Sequence, residues 1–94
     1  MRATKVHMMA PHQYIITEHR RTSTVTTFQS YDSTIAVREV SHAGVERVTI
    51  DADKWDFSAT TSRNLNKFLR VEAGEVKKRL DSGEYRSATM NREA

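Results

Sequence analysis

Six basic side chains within residues 61–83 have the clearest potential for chemistry in this 94-residue chain. They are Arg63, Lys67, Arg70, Lys77, Lys78 and Arg79. The same region holds three acidic residues, so its formal charge of six minus three, +3, equals that of the whole chain. Clustered cations neutralise phosphates and give a salt-dependent affinity for nucleic acid. These six residues are therefore the predicted site for binding nucleic acid or another partner.

Four hydroxyl side chains precede these six cations, in the run WDFSATTSRNLNKFL at residues 55–69. They belong to Ser58, Thr60, Thr61 and Ser62. A nucleophilic serine needs an adjacent base and a strained turn of the G-x-S-x-G kind, and the run contains neither. The hydroxyls stand just before an apolar-periodic segment, where such oxygens accept hydrogen bonds from the first N–H groups of a helix. We therefore expect helix capping, no catalytic residue and no enzymatic activity.

Carboxylates and histidines, which are common metal ligands, do not form a recognised metal-binding pattern here. The three carboxylates of DADKWD, at residues 51–56, lack the glycine and the distal glutamate of a calcium loop. The four histidines never stand at i and i+4 on a predicted helix, and the chain has no cysteine to supply a thiolate. We expect no metal, no cofactor and a solvated turn at Asp51, Asp53 and Asp56. The histidines are predicted to lie on the surface, and His42 is the strongest candidate for a function among them.

The aromatic pair Trp55 and Phe57 allows two interpretations. Residues at i and i+2 point the same way in an extended chain, so the two rings could stack on bases or anchor a partner. They could instead cover the open end of a sheet as part of the core. The chain has few large apolar residues, and this favours the core.

Alternating and β-branched sequences indicate the elements that must position these side chains. Strands are predicted at 22–31, 34–40 and 45–52, and a fourth at 84–90. The turn SHAG at 41–44 would place Gly44 at positive φ. Helices are predicted over about 61–70, from the stripe of Leu65, Phe68 and Leu69, and over about 74–82, with Gly83 as its cap. The fold class is α+β: a three- to four-stranded antiparallel sheet followed by a two-helix hairpin on one face.

The two predicted helices also resemble a helix-turn-helix when residues 62–81 are aligned on Leu69. Three positions depart from that motif: Asn66 replaces a small residue, Arg70 replaces the turn glycine, and Arg79 stands where an inward apolar residue is common. The alternative is a plain helical hairpin packed on a sheet, with its charged side chains in solvent. Both interpretations stay open at this point.

Length and composition predict a single α+β domain over residues 22–90. Residues 1–21, interrupted by Pro11, are expected to form an arm that is partly disordered or an edge strand, and residues 91–94 a frayed tail. A core built from so few apolar residues makes a homodimer a reasonable expectation. No apolar run approaches the roughly 20 residues of a membrane span, so we predict no membrane association and a cytoplasmic location.

The run WDFSATTSRNLNKFL and the later EVKKRLDSGEY resemble a family of small uncharacterised proteins of tailed bacteriophages. That family carries W-D-Y-S-x-T-T-S-x-x-x-N-x-F-L followed by S-G-E-Y, and the resemblance covers about residues 25–88. Phe57 and Arg70 depart from it, standing where tyrosine and glycine are common. The resemblance implies a non-enzymatic binding protein in the host bacterial cell. Its partner would be nucleic acid or, alternatively, a host protein that it inhibits, for example as an anti-CRISPR-like anti-defence factor.

Overall fold

The computed structural model describes residues 3–56 and 58–91. Its elements are β1 (Ala3–Ala10), β2 (Gln13–His19), β3 (Ser23–Ser30), β4 (Ser33–Ser41), β5 (Glu46–Asp51), α1 (Ala59–Leu69), α2 (Glu75–Ser82) and β6 (Arg86–Ala88). The α+β class and the two consecutive helices are confirmed. Phe57, which was predicted to lie in the core, is outside the described residues.

The sheet is larger than the three or four strands predicted. Six strands follow one another in the order β1-β2-β3-β4-β5-β6, antiparallel except for the parallel pair β5 and β6. The predicted arm of residues 1–21 supplies β1 and β2, because Pro11 lies in the turn between them and removes no ladder hydrogen bond. The parallel pair arises because both helices lie between β5 and β6, and a crossover of this length returns the chain in the same direction.

The core lies between one face of the sheet and the two helices. Register aligns Phe28 with Ala36, and Ala36 with Ile50, across β3, β4 and β5. The ring of Phe28 stacks on that of Phe68 in α1, with centroids 5.7 Å apart. The helices contribute Leu65, Phe68, Leu69 and Val76 to the buried cluster. Trp55 is half-buried and packs against this cluster, as its core interpretation predicts.

α1 is capped at both ends, and α2 is capped at its C-terminal end. Ser58 is the N-cap of α1, and its hydroxyl accepts a hydrogen bond from the N–H of Thr61 at 3.1 Å. Arg70 ends α1 in the left-handed conformation, at φ 59° and ψ 46°. Gly83 ends α2 at φ 84°, as predicted. The connection over residues 70–74 is longer than the three or four residues typical of a helix-turn-helix, which favours the plain hairpin.

Asp51 departs from the predicted solvated turn. It is buried at the end of β5, and one oxygen, Oδ2, accepts from the N–H groups of Asp53 and Lys54 at 3.2 and 2.9 Å. The other oxygen, Oδ1, accepts from the N–H of Met90 at 2.8 Å. A buried carboxylate requires such donors, so Asp51 fixes both the turn after β5 and the segment after β6.

Candidate functional site

One exposed stripe of α1 carries three of the six predicted site residues. Arg63 and Lys67 are exposed and stand at i and i+4, which places them on the same side of the helix, and Arg70 is exposed at its C-cap. Residues 59–70 contain no acidic side chain. Within residues 3–56 and 58–91, no ion pair engages any of the three cations. This set, the α1 stripe, therefore presents its positive charge to solvent.

On α2, the three remaining predicted residues are not equivalent. The Lys77 Nζ atom lies 2.9 Å from the Asp81 Oδ2 atom, in an ion pair between positions i and i+4. Lys78 is exposed, and none of the described residues forms an ion pair with it. The acidic neighbour reduces what Lys77 offers to a phosphate, whereas Lys78 keeps its charge available.

Arg79 is held by several groups around the end of α2. Its Nε atom lies 3.5 Å from Glu75, and its NH1 atom lies 3.3 Å from Glu84 and donates to the Tyr85 hydroxyl at 3.2 Å. The guanidinium also lies 5.5 Å from the centroid of the Tyr85 ring. The hydrogen bond to Tyr85, first among these contacts, raises the pKa of Arg79. Arg79 is thus engaged in tying α2 to the segment that leads into β6.

A cavity of about 460 Å³ opens at the start of α1. Its walls come from the first residue of β2, the turn between β3 and β4, the turn after β5 and the first turn of α1. The lining residues are Gln13, Ser30, Tyr31, Asp32, Ser33, Ile35, Lys54, Ser58, Thr60 and Thr61. Six of them carry hydroxyl groups, so the surface is rich in groups that both donate and accept hydrogen bonds.

The buried wall of the cavity is a chain of polar side chains. The Gln13 Nε2 atom donates to the Ser30 Oγ atom at 2.9 Å, and that atom lies 3.4 Å from the Thr61 Oγ1 atom. The Ser58 hydroxyl donates to the Thr61 Oγ1 atom at 3.0 Å. Gln13 is 1% exposed, yet among the described residues its Oε1 atom has no hydrogen-bond partner. Because buried polar atoms are nearly always paired, this carbonyl oxygen stands out.

The rim of the cavity carries an exposed aromatic ring. Tyr31 is 60% exposed, and its ring stacks on that of His12 at 4.7 Å between centroids. Both residues have positive φ, 55° and 61°, in the adjacent turns after β3 and β1. The Tyr31 N–H donates to the His12 carbonyl at 2.6 Å, which joins the two turns. The ring is therefore held in place while one face remains open.

Sequence reasoning missed this cavity. Gln13, Ser30 and Thr61 are separated by 17 and 31 residues, so no local spacing connects them. The available signal was the edge strand predicted as one alternative for residues 1–21, which did not indicate the strand it would pair with. His42, the predicted histidine of interest, is exposed in the turn after β4, away from the cavity lining.

Residues 3–56 and 58–91 contain neither a candidate metal-binding cluster nor a helix that could span a membrane. No group of three or more histidine, aspartate or glutamate side chains lies close enough together to hold a metal ion. Neither helix of this part of the chain has the length and apolar character needed to cross a membrane.

A family model described as "Family of unknown function (DUF8033)" matches residues 4–84. The chain belongs to this family. The DUF8033 match runs from β1 to the end of α2, so it includes the α1 stripe and every residue that lines the cavity. No curated protein and no solved structure matches the chain. The family description gives no activity, so function has to be argued from the sites themselves.

Proposed function

We propose that this protein is a non-enzymatic nucleic-acid-binding protein that contacts phosphates through the α1 stripe. The observation that carries the proposal is the exposure of Arg63 and Lys67 on one side of α1 and of Arg70 at its C-cap, without an acidic partner in the described chain. At about 1.5 Å of rise per residue, Arg63 and Lys67 are about 6 Å apart along the axis. Flexible basic side chains at that spacing can reach neighbouring phosphates of one strand.

Four of the six predicted site residues remain available to bind phosphate under this proposal. Lys78 adds a fourth available cation on α2, whereas Lys77 and Arg79 are engaged by acidic side chains. The bacteriophage resemblance, with action inside a bacterial host cell, is kept as part of the same proposal. It agrees with a small binding protein, but the physical argument depends on the α1 stripe alone.

The test compares two triple variants with the same change in charge. Replacing Arg63, Lys67 and Arg70 by glutamine should weaken binding to duplex DNA at about 50 mM salt by tenfold or more, and should lower the slope of log affinity against log salt by about 2.7. The matched control replaces Lys5, Arg21 and Arg47, which are exposed on the sheet and its turns. Fluorescence anisotropy over a salt series measures both quantities. The proposal is contradicted if the native chain does not bind DNA, or if the two triple variants lose the same amount of affinity.

A second candidate function is binding of a host protein along the edge strand β1. This strand ends the sheet and pairs with β2 on one side only, among the described strands. Val6 and Met8 on β1 are 66% and 58% exposed, which is unusual for a strand. A partner could add a strand to this edge and cover both side chains. Affinity capture from nuclease-treated bacterial lysate tests this second function, and one bacterial protein should elute in stoichiometric amount. If a second copy of this chain pairs with β1 instead, no bacterial protein should elute.

A further inference from the structure

We infer that the cavity at the start of α1 is a binding site for a single nucleotide. Its base would lie on Tyr31 and reach Gln13, and its phosphate would lie at the first turn of α1. The choice of a nucleotide rests on the proposed function, because Thr60 at the cavity mouth continues the α1 stripe by one turn towards the helix start. The site itself is argued from four features of the cavity.

The first feature is the unpaired amide of Gln13. The side chain is 1% exposed, and only one of its two polar atoms has a partner among the described residues. If the amide were turned around, its oxygen would accept from the Ser30 hydroxyl and its nitrogen would be the unpaired atom. In either orientation one polar atom of this cavity-lining side chain is left without a partner among the described residues. Base edges present N–H donors beside acceptors, and glutamine is one of the side chains that recognises them.

The second feature is the ring of Tyr31. One face rests on His12, with the planes inclined by 12°, and the ring as a whole is 60% exposed. Aromatic rings held at the edge of a binding groove are platforms for bases, because every base has a π face. Tyr31 also lines the cavity, so a base stacked on it would have its edge directed inwards.

The third feature is the positive end of α1. This helix has 11 residues, and the N–H groups of Ala59 and Thr60 precede its first intrahelical hydrogen bonds. Backbone N–H groups and the helix dipole together favour a phosphate at such a position. Lys54 lines the same cavity. These groups fix where the phosphate end of the ligand would lie.

The fourth feature is the set of hydrogen-bonding groups between these two ends. Ser33 and Ser58 contribute hydroxyls, and Asp32 contributes a carboxylate that accepts hydrogen bonds from sugar hydroxyls or base amino groups. Asp32 would repel a phosphate, so it favours one orientation of the ligand. The volume of about 460 Å³ falls within the range of small-molecule sites.

The nucleotide could be free or part of a strand, and the chemistry of the site is the same in both cases. A strand lying on the α1 stripe would place one nucleotide at Thr60 and its neighbours beside Arg63 and Lys67. A free mononucleotide would use the cavity alone. The experiment separates the two sources by using probes of different length.

The experiment is an amide-resolved NMR titration of the full chain. The probes are adenosine and uridine 5′-monophosphates, inorganic phosphate, and a single-stranded DNA of about ten nucleotides. Mononucleotides should shift the amide signals of Gln13, Tyr31 and residues 58–61, whereas inorganic phosphate should shift only those at the start of α1. The ten-nucleotide strand should add shifts along the α1 stripe if the source is a strand.

Two variants test the contacts. Tyr31→Asn removes the ring but keeps a residue that tolerates positive φ, so the turn should fold normally. It should weaken mononucleotide binding about tenfold or more, the loss expected for one stacked base. Gln13→Leu should also weaken binding, and its spectrum shows whether it folds. The exposed Val45→Asn, at the opposite end of the sheet, is the control and should leave the affinity unchanged.

The inference is overturned if neither mononucleotide shifts the cavity signals at millimolar concentration, if inorganic phosphate alone reproduces every shift, or if Tyr31→Asn binds as the native chain does. Its failure can be told apart from failure of the proposed function. Mononucleotide binding without strand binding supports the cavity and removes the role of the α1 stripe. Strand binding that is unaffected by Tyr31→Asn supports the α1 stripe and removes the cavity.

Discussion

Arg70 affects both the stability of α1 and the proposed binding of phosphate, and these two properties favour different residue types at this position. Its backbone is left-handed, and its N–H donates to the carbonyls of Asn66 and Lys67 to end α1. That conformation is unfavourable for a side chain with a Cβ atom and is best served by glycine. Its guanidinium, however, is the last cation of the α1 stripe. An arginine therefore stands at a position where the backbone conformation alone would favour glycine.

The prediction at this scale is that Arg70→Gly makes the protein more stable and a weaker binder. Relief of the left-handed conformation should raise the free energy of unfolding by about 1 kcal/mol. Loss of one phosphate contact should lower the salt slope of duplex binding by about 0.9. Urea denaturation and anisotropy measure the two effects.

Arg70→Ala is the control for Arg70→Gly, because it removes the same charge and keeps the strained backbone. It should bind as weakly as Arg70→Gly without the gain in stability. A loss of stability in Arg70→Gly would show that the arginine side chain contributes more to stability than its left-handed backbone costs.

At the level of elements, the two edges of the sheet are unlike each other. β6 has three residues, whereas β1 has eight and leaves one side without a neighbour among the described strands. Register pairs His7 with Ile15, which packs against the core, so Val6 and Met8 point to the face of the sheet away from the helices. This edge is where a partner strand could pair.

The prediction for this element is that Val6→Lys combined with Met8→Lys abolishes capture of a protein partner. Lysine on an edge strand opposes further pairing, and both positions are exposed, so the stability of the fold should change by less than about 0.5 kcal/mol. Pull-down and thermal melting provide the two readouts. Ala43→Lys with Val45→Lys, both exposed in the turn between β4 and β5, is a control with the same added charge away from the β1 edge. Undiminished capture by the β1 variant would place the partner elsewhere.

The sequence predicted the elements near the helices better than those near the chain start. The stripe of Leu65, Phe68 and Leu69 repeats at helical spacing, so α1 was found to within two residues of its start. For residues 1–21 the sequence predicts only an arm or an edge strand, because Pro11 and the scattered histidines obscure a two-stranded hairpin whose turn contains the proline. The α1 stripe could be predicted, since its residues are local in sequence. The whole cavity could not, because it depends on which side chains the tertiary fold brings together.

Over the whole molecule, the last described residues, Met90 and Asn91, are hydrogen-bonded to β5 and β4. Asp51 binds the N–H of Met90, and the Asn91 side chain donates to the Thr34 carbonyl at 2.7 Å and accepts from its N–H at 2.6 Å. These contacts join the end of β5 and the start of β4 to residues that follow β6. They fix the parallel strand although β6 itself is short and exposed.

The corresponding prediction is that Asp51→Ala lowers the free energy of unfolding by about 3 kcal/mol. The substitution leaves three backbone N–H groups without their charged acceptor, and hydrogen bonds to charged groups contribute about 1.5–3 kcal/mol. Urea denaturation measures the loss. Asp53→Ala, two residues away and exposed, should change stability by less than about 0.5 kcal/mol. Equal effects of the two variants would mean that Asp51 does not act as the anchor.

The order of the sheet also determines how the molecule yields to mechanical force. From β1 to β5 each strand lies beside the one before it in the chain. A protease motor that pulls on the amino end would therefore peel off β1 and then β2, breaking the pairs of one hairpin at a time from Ala3 and His19 onwards. Resistance would rise at β3, where α1 packs. Unfolding under tension would thus start with two weak steps and continue with one strong one.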